Sequence, residues 1–223
     1  MKLVSSDFSF QLELEESKVN LLIIENPIIF SKIILELLKQ SEGNEGRFVL
    51  SQEGKVLKIE DNIFCIINPL ELDFNQKNII TKLYSRLKEE IINTELLLEN
   101  NSIYADIFQY IQKVIDTISY PLTYKADMEP NALFKLLNVK FEEVQESLVE
   151  RIIDYIKIMQ QILGKKIVVL VNIKAYLSIN ELEQLYREAA YQKLNLIILE
   201  SHLSSSLNNE VRYIIDKDLC EIY

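Results

Sequence analysis

Glycine is scarce. The 223-residue chain has four, and none lies between Gly54 and Gly164. A phosphate cradle needs glycines so that backbone N–H groups can wrap the anion, and a lysine to neutralise it. The pattern G-x-x-x-x-G-K-[ST] is absent: Gly54-Lys55 is followed by Val56, and Gly164-Lys165 by Lys166. Histidine is scarcer still. The one present, His202, sits beside serines in "ESHLSSS". A lone histidine among polar loop residues is ordinarily solvated, and no G-x-S-x-G elbow supports a triad. The two cysteines, Cys65 and Cys220, lie far apart with no metal-ligand spacing. Both are expected to be reduced, with Cys65 of "NIFCIIN" in the core. No apolar run approaches the ~18 residues of a membrane span. The opening "MKLVSSDFSFQLELEES" turns polar and acidic too soon for a secretory signal. These absences speak against nucleotide hydrolysis, triad chemistry, a cysteine metal site and membrane insertion. They predict a cytoplasmic protein.

What is present is acid. The net charge is −10, which at face value opposes nucleic acid. Its distribution is uneven. Residues 151–193 hold seven bases against four acids, inside a chain that is otherwise acidic. Charges farther apart than a Debye length of ~8 Å are largely screened at physiological salt. A local basic surface can therefore still meet phosphate.

The pattern along the chain is α/β at both ends and helical between. Phe8, Phe10, Leu12 and Leu14 alternate with polar residues, which predicts a half-exposed edge strand. "VNLLII" (19–24) suits a buried strand. Asn26 caps a helix over 27–40, with Pro27 at its first position. Residues 47–61 predict a hairpin about Glu53-Gly54, and 62–68 another buried strand. A long helix over 76–100 follows. A second restarts at Asn101 or Ser102 and ends near Tyr120-Pro121. A short helix covers 131–137, and a long one runs from about 143 to 163. "KIVVLV" (166–171) is a buried strand, Ser178-x-x-Glu181 opens helix 179–192, and "LNLIILE" (194–200) is the next strand. That strand–helix–strand unit predicts a right-handed parallel crossover. The expected organisation is an α/β head from residues 1–75 and 165–223, with an α-helical leg, 76–164, inserted in the chain.

Nucleotide chemistry fails at both ends of its machinery. The link after strand 19–24 is Glu25-Asn26-Pro27, too short to enclose a phosphate, and Glu25 would repel one. Asn172 ends strand 166–171 where a magnesium-binding aspartate would stand. Asp127 and Glu129 share an irregular loop, which reads either as an exposed turn or as part of a calcium site. Calcium takes about 6–8 oxygens, so two acids alone are a poor set. Phosphate binding remains. Lys135 and Lys140 flank a short helix end, Lys157 lies on a long helix, and Lys165, Lys166 and Lys174 bracket strand 166–171. Such a set can also be ordinary solubilising surface. No aromatic residues interleave with it to stack bases, so DNA would be held by its backbone, whatever its sequence.

Several segments then carry a resemblance: "LLIIENPIIFSKII", "NPLELDFNQKNIITKLYSRLKEEI" with Asp73 and Asn75, "FKLLNVKFE", "KKIVVLVNIKAYLSINELEQL", "LNLIILES" and "YIIDKD". In that order and spacing the chain resembles the small CRISPR-associated adaptation protein of type II-A systems, the Csn-two family, over essentially its full length. The resemblance implies a RecA/P-loop-NTPase-like head without a phosphate-binding loop or a bound nucleotide, and a helical leg. It implies a homotetrameric ring that binds the ends of linear double-stranded DNA, is stabilised by calcium, and is not an enzyme. It also implies work in spacer acquisition beside the CRISPR integrase complex and the guide-RNA nuclease. Lys135 and Lys140 match lysines on the DNA side of such rings. The family's acidic loop is depleted here: Lys125 and Ala132 stand near carboxylate positions, and Asp127 and Glu129 remain as metal ligands. A degenerate NTPase-like scaffold acting through protein contacts, with DNA binding incidental, is the alternative.

Overall fold

The computed structural model describes residues 1–142, 147–203, 205 and 207–222. In chain order the strands are β1 Lys2–Ser5, β2 Leu12–Glu13, β3 Val19–Ile24, β4 Phe48–Gln52, β5 Lys55–Leu57, β6 Ile63–Ile66, β7 Ile167–Val171, β8 Asn195–Glu200, β9 Glu210–Ile215 and β10 Glu221–Ile222. The helices are α1 Pro27–Ser41, α2 Ile59–Asn62, α3 Lys77–Asn93, α4 Leu96–Ile115, α5 Ala132–Leu136, α6 Leu148–Leu163 and α7 Ile179–Tyr191. The chain divides into two compact units, Met1–Phe74 with Val144–Tyr223, and Asn75–Glu143.

The first unit is built on a six-stranded sheet in the order β10-β9-β3-β8-β7-β6. Its five central strands pair in parallel, and β10 adds an antiparallel edge. Every residue of β3, β7 and β8 is buried, which is why these segments read as unbroken apolar runs. The two faces alternate with the strand period of two. Leu22, Ile24, Ile167, Val169, Val171, Ile197 and Leu199 pack into one cluster with Ile33 and Leu37 of α1 and with Leu3, Phe48 and Leu50 of a second sheet. That second sheet is antiparallel, in the order β2-β1-β4-β5. The intervening strand residues face the other way, where Phe64 of β6 meets Tyr155 of α6 edge-on at 6.4 Å. This is the expected α/β class, and the parallel strands run 5-1-4-3-2 by chain order, as in a RecA-like head.

Local chemistry fixes the ends of the elements. The Asn26 side chain accepts from the N–H groups of Ile28 and Ile29, and Pro27 opens α1. Ser178 with Glu181 forms the expected capping box, and Ser147 with Glu150 forms a second. Gly164 ends α6 in the left-handed conformation (φ 73°) that favours glycine. Glu53 and Gly54 both have positive φ, as a two-residue primed hairpin turn requires.

Several expectations are corrected. Phe8, Phe10, Leu12 and Leu14 are buried and their polar neighbours exposed, but only Leu12–Glu13 forms a strand. Phe8 stacks on Phe10, and Phe10 on Tyr213, so ring packing sets the alternation there. The break in the helical region falls at Thr94–Glu95, before the expected Asn101. Thr94 is extended, its hydroxyl donates to Glu90 O and accepts from Leu96 N, and α4 then runs through Asn101 and Ser102. The last helical segment starts at Leu148, behind the Ser147 cap; residues 143–146 of the expected span lie outside the described residues. That helix also belongs with the sheet. Val149, Ile152, Ile153, Tyr155, Ile156 and Met159 are buried, and Tyr155 packs against Phe64 and Phe74. The head expected from 1–75 and 165–223 therefore includes α6, and the helical unit ends near 143 instead of 164.

Asp7 follows β1, with a side chain only 8% exposed, paired to Lys32 Nζ at 2.6 Å and Arg47 Nη1 at 3.0 Å. Burial pushes its pKa up, but the two cations outweigh burial and hold it below the ordinary value. A carboxyl depressed in the folded state adds stability at pH above its unfolded pKa of about 3.9. That stability is lost as pH falls through the folded value. Urea unfolding midpoints followed from about pH 6 to pH 3 are expected to fall less steeply for Asp7→Asn than for the parent chain. Parallel slopes would show that this cluster takes no part in acid sensitivity.

Candidate nucleic-acid interface

In open α/β sheets, ligands bind at the carboxyl ends of the strands. Here those ends are closed by the chain's own polar groups. At the end of β3, the N–H groups that would face a phosphate at the α1 terminus are occupied by Asn26 Oδ1, at 3.1 and 3.2 Å. Asn26 Nδ2 donates to Lys217 O. At the end of β7, Asn172 adopts the left-handed region (φ 49°), which asparagine tolerates better than most residues. Its Oδ1 accepts from Ser201 N (3.0 Å) and Ser201 Oγ (3.1 Å), stitching β7 to the end of β8. His202 Nδ1 lies 2.7 Å from Ser201 Oγ, so the histidine ends in an exposed local contact.

Lys174 does not reach solvent as an interface lysine would. Its ammonium pairs with Glu210 Oε1 at 2.7 Å and donates to Ser205 O, and the two side chains are 8% and 0% exposed. Its backbone N–H donates to Glu200 Oε1, and Tyr186 OH donates to Glu210 Oε1 at 2.7 Å. Burial, then the bond to Glu210, pushes the Tyr186 phenol up. Burial likewise raises Glu200, only partly offset by Lys174. Buried ammonium and carboxylate tolerate each other only as a pair. Lys165 is also committed inward: it donates to Glu60 O and to Ile63 O (3.2 Å), and burial lowers its pKa against the pull of Asp61 and Glu60. Both lysines are removed from the expected phosphate-binding set. Sequence spacing placed them beside a strand but could not show which way they turn.

Among the other expected cations, Lys157 lies on α6 at 3.5 Å from Asp154. Lys166 and Lys140 are exposed and make no ion pair among the described residues. Lys135 donates to Glu129 Oε2 at 3.1 Å. In the helical unit, Asn75 and Phe141 exchange two hydrogen bonds, Asn75 Nδ2 to Phe141 O (3.1 Å) and Phe141 N to Asn75 Oδ1 (2.9 Å). That exchange brings the segment at Lys140 beside Asn75, two residues before Lys77 opens α3. The first twelve residues of α3 carry Lys77, Lys82, Arg86 and Lys88 and no acid before Glu89. Lys77 and Lys82 are exposed and also make no ion pair among the described residues. The run is hidden when everything outside residues 151–193 is taken together as acidic, because the acids of the rest of the chain outweigh it. A window of one helix would have found it.

The calcium expectation is tested by the same unit. Asp127 is 84% exposed and its nearest charge is Lys125, at 3.8 Å. Glu129 offers one oxygen to Lys135 and the other to Lys88, at 3.9 Å. The Lys135 hydrogen bond and charge, with help from Lys88, hold its carboxyl below the ordinary range. The carbonyls of Glu129 and Pro130 both accept from Tyr104 OH. Among the described residues no three His, Cys, Asp or Glu side chains converge as a metal set. The donors therefore do not fit calcium at Asp127 and Glu129. Also among the described residues, no helix is long and apolar enough to cross a membrane.

Cys65 is half-buried rather than a full core residue, while Cys220 is exposed. Burial pushes the Cys65 thiol up to about 12, against the lowering by Ser41 and Lys165. At mildly alkaline pH, iodoacetamide is expected to label Cys220 and spare Cys65 in the folded chain, as peptide mass spectrometry would show. Rapid labelling of both would contradict this placement. Lys174→Met is expected to cost about 3–5 kcal/mol in urea unfolding by stranding Glu210. Lys174→Met with Glu210→Gln should recover part of that loss, and no recovery would rule out the pair as the cause.

A CRISPR-associated protein described as Csn2, from Enterococcus faecalis, is 21% identical over 224 residues, covering 90% of this chain and 96% of its own. A Pyrococcus furiosus protein described as an ABC transporter ATP-binding protein superposes with a TM-score of 0.43 at 13% identity, covering 95% of this chain and 97% of the other. At that score it adds nothing to the topology described above. The family model for CRISPR-associated protein (Cas_Csn2) matches residues 40–219, most of the chain, and the protein therefore belongs to the CRISPR-associated Csn2 family.

Proposed function

We propose that this protein is a non-enzymatic, sequence-independent binder of double-stranded DNA ends, working as a homotetrameric ring in the acquisition of new CRISPR spacers. The observation that carries the reading is the pair Lys77 and Lys140, whose segments the Asn75–Phe141 hydrogen bonds bring together, with Lys82 further along α3; all three are exposed and make no ion pair among the described residues. Lys166 is a further unpaired cation on the other unit. A few lysines on an acidic chain are a poor DNA site alone. Repeated in each copy around one opening, they add by multivalency. A closed ring also selects ends, because a circular duplex has no terminus to thread.

Self-assembly is supported by α4. Leu96, Ile103, Tyr110 and Val114 are all more than 40% exposed and recur at steps of seven and four residues along one side of the helix. An apolar stripe of that kind is a surface for another protein face, and we assign it to a second copy of this chain. In the cell the partners would be linear duplex DNA, the CRISPR integrase complex and the guide-RNA nuclease. The degenerate scaffold acting through protein contacts is the competing reading. It would leave the lysines dispensable.

A gel-shift series with linear, end-blocked and circular duplex separates the two. Binding is expected for linear DNA alone. Lys77→Glu with Lys140→Glu should weaken it by at least tenfold and reduce the salt slope by about 0.9 for each phosphate no longer neutralised, summed over the copies that contact the duplex. Equal binding of linear and circular DNA would end the threading mechanism. Unchanged affinity in the double variant would favour the scaffold.

A further inference from the structure

We propose that the connection between α4 and α5 is clamped internally by lysine ammonium groups on Glu129, and so does not depend on a divalent cation. Glu129 stands between two helices, and each of its carboxylate oxygens faces a different cation. Lys135, on α5, takes Oε2 at 3.1 Å, and Lys88, on α3, approaches Oε1 at 3.9 Å. One residue on, the backbone is held as well. Tyr104, buried on α4, donates its phenol hydrogen to the carbonyls of Glu129 and Pro130 (2.8 and 3.1 Å). Asn131, also buried, donates to Tyr84 O of α3 (3.2 Å). Residues 129–131 are thus tied to α3, α4 and α5 by side chains of this chain alone.

A hard divalent cation would need what these contacts already use. It takes several oxygens and favours carboxylates and backbone carbonyls. The two carbonyls are engaged by a hydroxyl. The carboxylate is flanked by two positive charges, which would repel an incoming ion. Asp127, the other acid of the loop, is exposed and lies nearest to Lys125. The ammonium groups do the ion's neutralising and bridging work. They do it at all calcium concentrations.

The test uses the full chain and reads the loop, so its failure is separable from any failure of DNA binding. Calcium titrated by calorimetry should give no saturable heat, and millimolar calcium against chelator should move Tm by less than about 2 °C. Lys88→Gln with Lys135→Gln should retain the parental circular dichroism but be cut several-fold faster by chymotrypsin at exposed Tyr124. Glu129→Gln should do the same. Cleavage of both variants at the parental rate would overturn the clamp. Saturable calcium heat, or a larger Tm rise that Glu129→Gln abolishes, would overturn the cation independence.

Discussion

A buried parallel sheet imposes one demand on everything around it: the polar groups at its carboxyl edge must find partners, because water is kept from the strands. In a nucleotide hydrolase part of that demand is met by phosphate and metal. In this chain it is met by Asn26, Asn172, Ser201 and Glu200, which accepts from the Lys174 backbone. The same side chains that complete the fold therefore occupy the place where nucleotide chemistry would be done. The head keeps the topology of an NTPase and spends its binding groups on itself.

The helical unit follows the same rule with a different outcome. Its ions are arranged around Glu129, while Lys77, Lys82 and Lys140 make no ion pair among the described residues. Burial separates the two roles of lysine. Where the ammonium is enclosed, as at Lys174 and Lys165, desolvation demands a partner and the residue becomes structural. Where it is exposed, the residue stays available for phosphate. The same unit carries the exposed apolar stripe of α4.

Much of the fold was legible in the sequence because its signals are local. Continuous apolar runs marked β3, β7 and β8, Asn26-Pro27 and Ser178-x-x-Glu181 marked helix starts, and Glu53-Gly54 marked the hairpin. The same logic applied to Ser147-x-x-Glu150 would have placed the start of α6. The break at Thr94 was hidden because one threonine within a strong helical period carries little weight against it. The membership of α6 depends on what its apolar face meets, and no local pattern states that. The candidate site was less legible. Lys135 and Lys140 were singled out by spacing and resemblance, and the structure pairs Lys135 with Glu129; Lys165 and Lys174 read as surface lysines because a side chain's direction is a tertiary property. Glu129 was read as a metal ligand because Lys88, forty-one residues earlier, could not be seen beside it.

Asn172 carries one more consequence. Exchanging it for aspartate would not revive an ion-driven engine. One carboxylate oxygen would inherit the Ser201 hydrogen bonds, and the added charge would arrive next to Glu200, whose carboxyl burial already pushes up. A phosphate or metal at this edge would have to displace the contacts of Asn26, Asn172 and Ser201 together.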